Sequence, residues 1–161
     1  MGAEGDRVAP RFERGCRCFG VMQDGTLVAY GWWSAQREWI GELGLEISPA
    51  EGEVYIWNCF TLAPHRRRGF YRALLEGIVA RAREERVLRL WIGSVADPAE
   101  KADADAGFVP VLHLASAGLG PLRWLRARPA GGRGGELASQ ARERLGLNGW
   151  TEFGRFRARK H

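Results

Sequence analysis

The stretch EVYIWNCFTLAPHRRRGFYRALL, residues 53–75, decides how this chain folds. Its first part, residues 53–62, is nearly continuous in apolar, β-branched and aromatic side chains, which predicts a buried central strand. Pro64 ends that strand because proline cannot donate a ladder hydrogen bond. Three arginines and Gly69 follow, and a helical pattern begins at Phe70. The stretch therefore predicts a strand, a tight basic turn and a helix.

The helical pattern extends from residue 70 to residue 86, with charged side chains on its second face. Its apolar face is formed by Tyr71, Leu74, Leu75, Ile78, Val79 and Ala82. This spacing is typical of an amphipathic helix that packs one face against a sheet. Residues 87–95 (VLRLWIGSV) predict a second buried strand. Strand, helix and strand in this order predict a βαβ unit with parallel strands.

The remaining segments are predicted from turn and breaker residues. Asp24-Gly25 is a strong hairpin signal and joins strands at residues 16–22 and 26–34. Residues 1–14 predict a loose lead-in, and residues 36–52 a long irregular connection. A short helix opens at Asp97-Pro98 and ends at Gly107. Strands at residues 108–116 and 122–128, a glycine-rich hinge at 129–135 and a short helix at 136–145 complete the prediction.

Composition favours a soluble globular domain. The chain has 161 residues, of which 45% are hydrophobic and 27% charged. Its apolar runs fall short of the ~20 residues of a membrane span, so no membrane association is expected. The three cysteines show no zinc spacing, which predicts reduced thiols, a cytoplasmic location and no metal. Residues 117–161 hold ten basic and three acidic side chains, a net charge of +7.

The basic turn has the chemistry of an anion site. The first N–H groups of a helix have no partners within it, and the helix dipole places partial positive charge there. Arg66, Arg67 and Arg68 add full charges, and Gly69 lets a ligand approach the backbone closely. A diphosphate suits this combination. The alternative is an arginine run that is merely solvated at a strand–helix turn.

Residues 61–75 (TLAPHRRRGFYRALL) resemble the acyl-CoA loop of the GNAT superfamily, whose pattern is Arg/Gln-x-x-Gly-x-Gly/Ala after a strand. Arg66 and Gly69 match that pattern, whereas Tyr71 stands where a small residue is usual. Residues 94–108 (SVADPAEKADADAGF) are similar to the family's next landmark, with Asp97 in place of asparagine. With the hairpin, the resemblance covers residues 16 to about 128 in the right order.

The resemblance implies an α+β fold with a GNAT-like mixed, mostly antiparallel twisted sheet, a central βαβ unit and a splayed pair of parallel strands. Residues 1–128 would form the acyl-CoA-binding domain and residues 129–161 a basic C-terminal tail with a short helix. Family members usually begin with a strand and two helices, and this chain has only about fifteen residues before its hairpin. It is therefore expected to be a shortened or atypical member. Alternatively, its tail replaces the packing of the missing strand and helices, for example across a homodimer.

The resemblance also implies a co-substrate and a reaction. Acetyl-CoA or another acyl-CoA would bind, without a metal, and a small-molecule or peptide amine would attack its thioester directly. The resemblance places the pantetheine along the end of the central strand and the pyrophosphate at the basic turn. The implied cofactor residues are Phe60, Thr61, Leu62, Arg66, Arg67, Arg68, Gly69, Phe70 and Tyr71.

Proton transfer has three candidate catalytic residues. Glu53 and Tyr55 share one face of the central strand, where family bases often lie; the alternative for Glu53 is a strand-end carboxylate in solvent. Many family members protonate the leaving thiolate with a tyrosine at the position of Asp103, which is normally ionised and cannot play that part. Tyr71 or Tyr55 would substitute, or water would supply the proton.

Two other functions stay open. The chain could be a CoA-binding sensor or scaffold without strong catalysis. It could also bind nucleic acid through the arginines of its C-terminal third. This partner ranks last because no nucleic-acid motif is visible, and because Trp124 is the only aromatic residue among the first four of these arginines. Those basic residues are Arg123, Arg126, Arg128, Arg133, Arg142, Arg144, Arg155, Arg157, Arg159 and Lys160.

Overall fold

The computed structural model describes residues 5–94, 99–119 and 122–155. In chain order its strands are β1 (Arg17–Gln23), β2 (Thr26–Ser34), β3 (Glu38–Ile40), β4 (Leu45–Ile47), β5 (Glu53–Thr61), β6 (Arg89–Ile92), β7 (Leu112–Leu119), β8 (Leu122–Pro129) and β9 (Thr151–Arg155). The α-helices are α1 (Val8–Glu13), α2 (Phe70–Glu84), α3 (Ala99–Asp105) and α4 (Ala138–Arg144). Short 3-10 helices span Ala63–His65 and Gly132–Leu137.

The chain forms two compact units. The first contains residues 1–36 and 49–108, and the second contains residues 37–48 and 109–161. Within the described residues, the strands lie in three sheets, ordered β1-β2-β5-β6, β3-β4 and β7-β8-β9. Pairing is antiparallel except between β5 and β6. The predicted α+β class with mostly antiparallel strands is confirmed, and the division at residue 128 stays a prediction.

The predicted hairpin begins the sheet of the first unit. Strands β1 and β2 pair from Arg17↔Trp33 to Gln23↔Thr26. Asp24 and Gly25 connect them with φ angles of 49° and 76°. Positive φ at both central residues is the type I′ geometry, whose twist matches that of the flanking strands. The Asp-Gly signal therefore identified the position of this turn.

The predicted βαβ unit follows. Strands β5 and β6 are parallel from Glu53↔Arg89 to Ile56↔Ile92, and α2 connects them. The helix buries the face that its apolar spacing predicts, so the amphipathic assignment is confirmed. The resulting core contains Trp33, Val54, Ile56, Leu74, Leu75, Ile78 and Ala82. Because this core holds α2 against the sheet, it also fixes where the first turn of α2 lies.

The N-terminal lead-in predicted at residues 1–14 is wrong over residues 8–13, which form α1. Arg11 lies on the inner side of this helix and is only 6% exposed. Its guanidinium carbon lies 5.0 Å from the Trp32 ring centroid and 4.6 Å from that of Trp57. Packing of a cation on two indole faces holds a six-residue helix that has too little apolar spacing to be recognised in sequence.

The second unit contains several elements that differ from prediction. Residues 36–52 were expected to be irregular, but β3 and β4 pair within them from Glu38↔Ile47 to Ile40↔Leu45. The predicted hinge at residues 129–135 largely becomes a 3-10 helix, and β9 was not predicted. Strand β7 begins at residue 112 rather than 108, and the predicted strand at residues 122–128 corresponds to β8, which pairs with β7. The Asp97-Pro98 helix start lies outside the described residues.

Candidate active site

The two parallel strands separate at their carboxyl ends. Pairing between β5 and β6 stops at Ile56↔Ile92, although β5 continues to Thr61. Directly beyond this point Asn58 has a φ angle of 46°, and the register of β5 with β2 shifts between Tyr30 and Trp32. A β-bulge of this kind bends its strand and ends regular pairing. The parallel pair of the predicted fold is therefore confirmed, and its pairing ends just before this bulge.

The turn after β5 leads directly into the anion-binding end of a helix. Arg67 and Gly69 have φ angles of 59° and 82°, and α2 begins at the next residue. The first hydrogen bond of the helix runs from the Ala73 N–H to the Gly69 carbonyl, at 2.9 Å. The N–H groups of the three residues before Ala73 therefore precede the helical ladder, and no side chain caps the helix start.

The three arginines of the turn are exposed, and local contacts fix two of them. Arg66 donates from Nε to the Thr61 carbonyl at 3.1 Å, and its guanidinium carbon lies 5.6 Å from the centroid of the Phe60 ring. The Arg68 guanidinium carbon lies 5.4 Å from the centroid of the Phe70 ring. The first turn of α2 contains no acidic side chain. Positive charge is thus concentrated at the helix start, next to the strand end.

Tyr71 connects the two helices that follow the separated strands. Its hydroxyl on α2 donates to Asp103 Oδ1 on α3 at 2.8 Å, and Asp103 is only 6% exposed. Burial and the hydrogen bond to Asp103 raise the pKa of Tyr71 well above its ordinary value. Tyr71 therefore holds its proton firmly. The contact links residues 32 positions apart in sequence, which explains why the chain alone gave no sign of it.

Tyr71→Phe should lower the free energy of unfolding by about 1–3 kcal/mol, because the buried Asp103 carboxylate loses a donor. Urea denaturation followed by tryptophan fluorescence would measure the change. An unchanged unfolding midpoint for Tyr71→Phe would show that its hydroxyl does not pair with Asp103 in solution.

Cys59 lies beside this pair as a protonated thiol. Burial, followed by the nearby Asp103, raises the pKa of Cys59 to about 12 from its ordinary 9.0. A Cβ atom at Gly31 would lie 2.8 Å from the Cys59 sulfur, so the thiol fits against a residue without a side chain. At neutral pH the thiolate, which is the nucleophilic form, is almost absent. Cys59 thus packs in the protein interior rather than acting as a nucleophile.

A thiol reagent at pH 8 should label the exposed Cys18 and leave Cys59 unmodified until the protein unfolds. Because burial raises the pKa of Cys59 to about 12, its thiolate is scarce at that pH. Mass spectrometry of the digested, labelled protein would locate the modification. Cys18→Ser provides the control, since it should remove the fast labelling entirely. Equal labelling rates at both positions would contradict the buried thiol.

Glu53 lies at the opposite end of β5 from the separation. It is 7% exposed, so the alternative of a carboxylate in solvent is wrong. Glu53 Oε2 accepts hydrogen bonds from Trp91 Nε1 at 2.8 Å and from the Ala50 N–H at 3.1 Å, and Oε1 accepts one from Arg89 at 3.2 Å. The separation begins three residues later, or about 10 Å along the strand. Its role as a base stays a prediction.

Tyr55 lies nearer the separated end. It is buried and pairs with Trp91, and its hydroxyl oxygen lies 3.6 Å from the point that a Cβ atom of Gly93 would occupy. Gly93 directly follows β6, so the hydroxyl reaches the carboxyl end of that strand. Of the three catalytic candidates, Tyr55 and Tyr71 thus lie toward the separation and Glu53 does not. Their catalytic roles stay predictions.

No helix in residues 5–94, 99–119 or 122–155 is long and apolar enough to cross a membrane. In the same part of the chain, histidine, cysteine and acidic side chains do not come together in groups of three or more that could hold a metal ion.

Comparisons with known proteins identify the family. The model of the acetyltransferase (GNAT) family matches residues 3–104, more than half of the chain. An Agrobacterium tumefaciens protein described as an acetyltransferase is 17% identical, with a TM-score of 0.51 over 68% of this chain and 73% of that one. The aminoglycoside acetyltransferase AAC(6')-Iy is 18% identical, with a TM-score of 0.49 over 67% of this chain and 74% of that one.

A third similar structure is the ribosomal-protein-S18-alanine N-acetyltransferase of Escherichia coli. It is 19% identical, with a TM-score of 0.48 over 72% of this chain and 63% of that one. A search of curated proteins found no match. At these identities the first structure supports the fold alone, and the family model carries the assignment. The chain belongs to the GNAT acetyltransferase family.

Proposed function

We propose that this protein is an acyl-CoA-dependent N-acetyltransferase that moves the acetyl group of acetyl-CoA directly to a primary amine. The observation that carries the proposal is the turn between β5 and α2. There an uncapped helix start, three exposed arginines and the left-handed Gly69 follow a strand that has separated from its parallel neighbour. Family membership supports the class of reaction, and this turn supports a way of binding acetyl-CoA.

In this proposal the pyrophosphate lies at the first turn of α2. The backbone N–H groups from Arg67 to Tyr71 face a doubly charged diphosphate, and the dipole of α2 adds to their attraction. Arg67 and Arg68 supply full charges. Arg66 instead ties the turn to Thr61, so its main effect is to hold the turn in shape.

The pantetheine arm runs along the end of β5, past Phe60, Thr61 and Leu62. This part of the strand extends beyond the last residue paired with β6, so its outer edge has no β6 ladder. Amides of a pantetheine chain can hydrogen-bond a strand edge in the way that another strand would. The separation of the strands is therefore what makes room for the cofactor.

The reaction joins the acceptor nitrogen to the carbonyl carbon of the thioester. Addition gives a tetrahedral intermediate, whose collapse breaks the carbon–sulfur bond and releases the CoA thiolate. The nitrogen loses one proton and the thiolate gains one, so the products are an amide and free CoA. Cys59, the cysteine nearest to Tyr71 and Asp103, stays protonated. Direct attack by the amine therefore explains acyl transfer better than an acyl-cysteine intermediate does.

Proton transfer in this mechanism uses Tyr55 or water rather than Tyr71. The raised pKa of Tyr71 works against proton donation to the leaving thiolate, since loss of the proton would place a phenolate beside the Asp103 carboxylate. Tyr55 is the better candidate for a proton relay because of its position beside Gly93.

The acceptor is a primary amine of a small molecule or a peptide. The homodimer stays a prediction.

A CoA-binding sensor is the second candidate function. The observation that favours it is the hydrogen bond between Tyr71 and Asp103, which lies between α2 and α3. Because the Tyr71 hydroxyl retains its proton, it is a poor acid for the leaving thiolate. Steady-state turnover separates the two functions. Release of free CoA that requires an added amine supports the transferase, whereas cofactor binding with only slow thioester hydrolysis across a broad amine panel supports the sensor.

Acetyl-CoA at one hundred times its Kd should stabilise the protein by about 2.7 kcal/mol if it binds only the native state. For a chain of this size the Tm rises by about 2–4 °C per kcal/mol, so an increase of about 5–10 °C is expected in differential scanning fluorimetry. Pantetheine, which lacks the pyrophosphate, is the matched control and should change the Tm little. No shift with acetyl-CoA would contradict the proposed binding.

A further inference from the structure

The three-stranded sheet of the second unit has one exposed face. On β8 the buried Leu125 and Ala127 alternate with side chains that point the other way, and the register of β7 and β9 extends this face on both sides. Phe153 is 81% exposed and Leu122 is 60% exposed. This outer face is formed by His113, Ala115, Ala117, Leu122, Trp124, Arg126, Arg128, Thr151 and Phe153.

The outer face is basic. Arg126, Arg128 and His113 are exposed on it, and its described residues include no acidic side chain. Glu152 pairs with Leu125 on the buried face, and its Oε1 accepts a hydrogen bond from the Asn148 N–H at 2.7 Å. Among the other basic residues of the tail, Arg157, Arg159, Lys160 and the side chains of Arg133 and Arg155 lie outside the described parts. The outer face is basic without them.

Two aromatic residues lie directly opposite each other at the centre of this face. Trp124 on β8 pairs with Phe153 on β9, and such partners have Cβ atoms about 4.5–5.5 Å apart. On the other side of Trp124, Ala117 on β7 is its partner, and Ala115 is the partner of Arg126. Small side chains on one flank leave Phe153 and the two arginines exposed, and Trp124 beside them is half-buried.

We propose that the outer face binds single-stranded nucleic acid, with bases stacked on Phe153 and Trp124 and phosphates held by Arg126 and Arg128. Every base has a flat face that stacks on an aromatic side chain, and every phosphate carries the charge that an exposed arginine attracts. A second copy of the chain fits poorly, because joining two such faces places like charges opposite each other. An acidic peptide would use the arginines but leave the aromatic pair without a stacking partner.

This proposal is independent of acyl transfer. In the sequence alone, Trp124 is the only aromatic residue near the first arginines of the tail, which weakens the hypothesis of nucleic-acid binding. Strand β9 places Phe153 directly beside it, 29 residues further along the chain. The structure thus supplies the second stacking residue on a sheet of the second unit, whereas the arginines of the α2 turn belong to the first unit.

Fluorescence anisotropy with a labelled oligouridine of about 12 nucleotides, within the site sizes of stacking platforms, tests the proposal in the full chain. Phe153→Ala should weaken binding about tenfold or more, as expected for the loss of one stacked base. Arg126→Ala should reduce the slope of log affinity against log salt by about 0.7, the value for one phosphate contact on a single strand. Wild-type protein should bind equally well with saturating CoA present.

Matched controls come from the first unit. Leu88→Ala removes an apolar side chain that is 80% exposed, and Arg83→Ala removes an exposed arginine of α2. Both should leave the affinity and its salt slope unchanged. Because Phe153 is 81% exposed, Phe153→Ala should retain the wild-type Tm, so its effect on binding cannot be attributed to unfolding.

Four outcomes would overturn the proposal. The first is no measurable binding at low salt, and the second is displacement of the oligonucleotide by CoA, which would assign binding to the α2 turn. The third is that Phe153→Ala binds the oligonucleotide as tightly as the wild type does, while the wild type binds anionic vesicles or polyglutamate equally well. That result would show that the face attracts anions through charge alone. The fourth is a wild-type dimer in analytical ultracentrifugation that Phe153→Ala dissociates, which would assign the face to a protein interface.

Discussion

Arg68→Glu combined with Gly69→Asp should abolish stabilisation by acetyl-CoA and weaken its binding by about 100-fold or more. The pair removes a charge-assisted contact worth about 1.5–3 kcal/mol and adds two carboxylates beside the diphosphate. Each 1.4 kcal/mol is tenfold in Kd, so two such effects exceed 100-fold. Isothermal titration calorimetry would measure the affinity, with the Tm as an independent readout of ligand binding.

The double variant should still fold. Gly69 has a φ angle of 82° with no other atom within 4 Å of the position of a Cβ, so the cost of replacing it is conformational rather than steric. Aspartate is among the residues that adopt left-handed backbone most readily. Arg83→Glu, a charge reversal near the other end of α2, is the matched control and should bind acetyl-CoA as the wild type does. Unchanged affinity in the double variant would remove the α2 turn from the cofactor site.

Ile78→Ala should lower the free energy of unfolding by about 2–5 kcal/mol, the usual cost of removing a large aliphatic side chain from a packed core. Ile78 is 0% exposed and lies in the core between α2 and the sheet. At about 2–4 °C per kcal/mol, a loss of 3 kcal/mol corresponds to a decrease of about 6–12 °C in Tm. Differential scanning calorimetry would measure both quantities.

Two variants make the Ile78 result specific. Ile78→Val removes one methylene and should cost about 0.5–1.5 kcal/mol. Gly77→Ala changes the adjacent residue of α2, has nothing within 4 Å of its new Cβ, and should stabilise the helix slightly. A loss below 1 kcal/mol for Ile78→Ala would mean that α2 does not pack on the sheet through this face. The position of its first turn would then have no structural basis.

Long periodic segments could be predicted from sequence because their burial pattern repeats several times. The spacing of Leu74, Leu75 and Ile78 gave the buried face of α2, and Asp24-Gly25 gave the turn of the hairpin. The elements that were missed, α1, β3, β4 and β9, have three to six residues and contain too few repeats. Helix α1 is the clearest case, since its inner side is occupied by Arg11, a residue type that indicates solvent exposure in a sequence pattern.

The candidate site also has a part that the sequence predicts and a part that it does not. The basic turn is a local feature, so the sequence alone predicts that the residues from Arg66 to Tyr71 lie together, and their role in binding the cofactor stays a prediction. Contacts between distant residues could not be predicted. Tyr71 reaches Asp103, and Glu53 becomes buried against Trp91 and Arg89, only after the strands pair. Those tertiary contacts decide which side chains keep a proton and which lie far from the separated strand ends.

A crystal structure of the protein with acetyl-CoA tests most directly whether the first turn of α2 holds the cofactor. We expect diphosphate oxygens about 2.7–3.2 Å from backbone nitrogens between Arg67 and Tyr71, and the pantetheine beside Phe60 and Thr61. A diphosphate bound anywhere else, or a turn in which protein side chains occupy the space in front of these nitrogens while acetyl-CoA binds, would contradict the assignment.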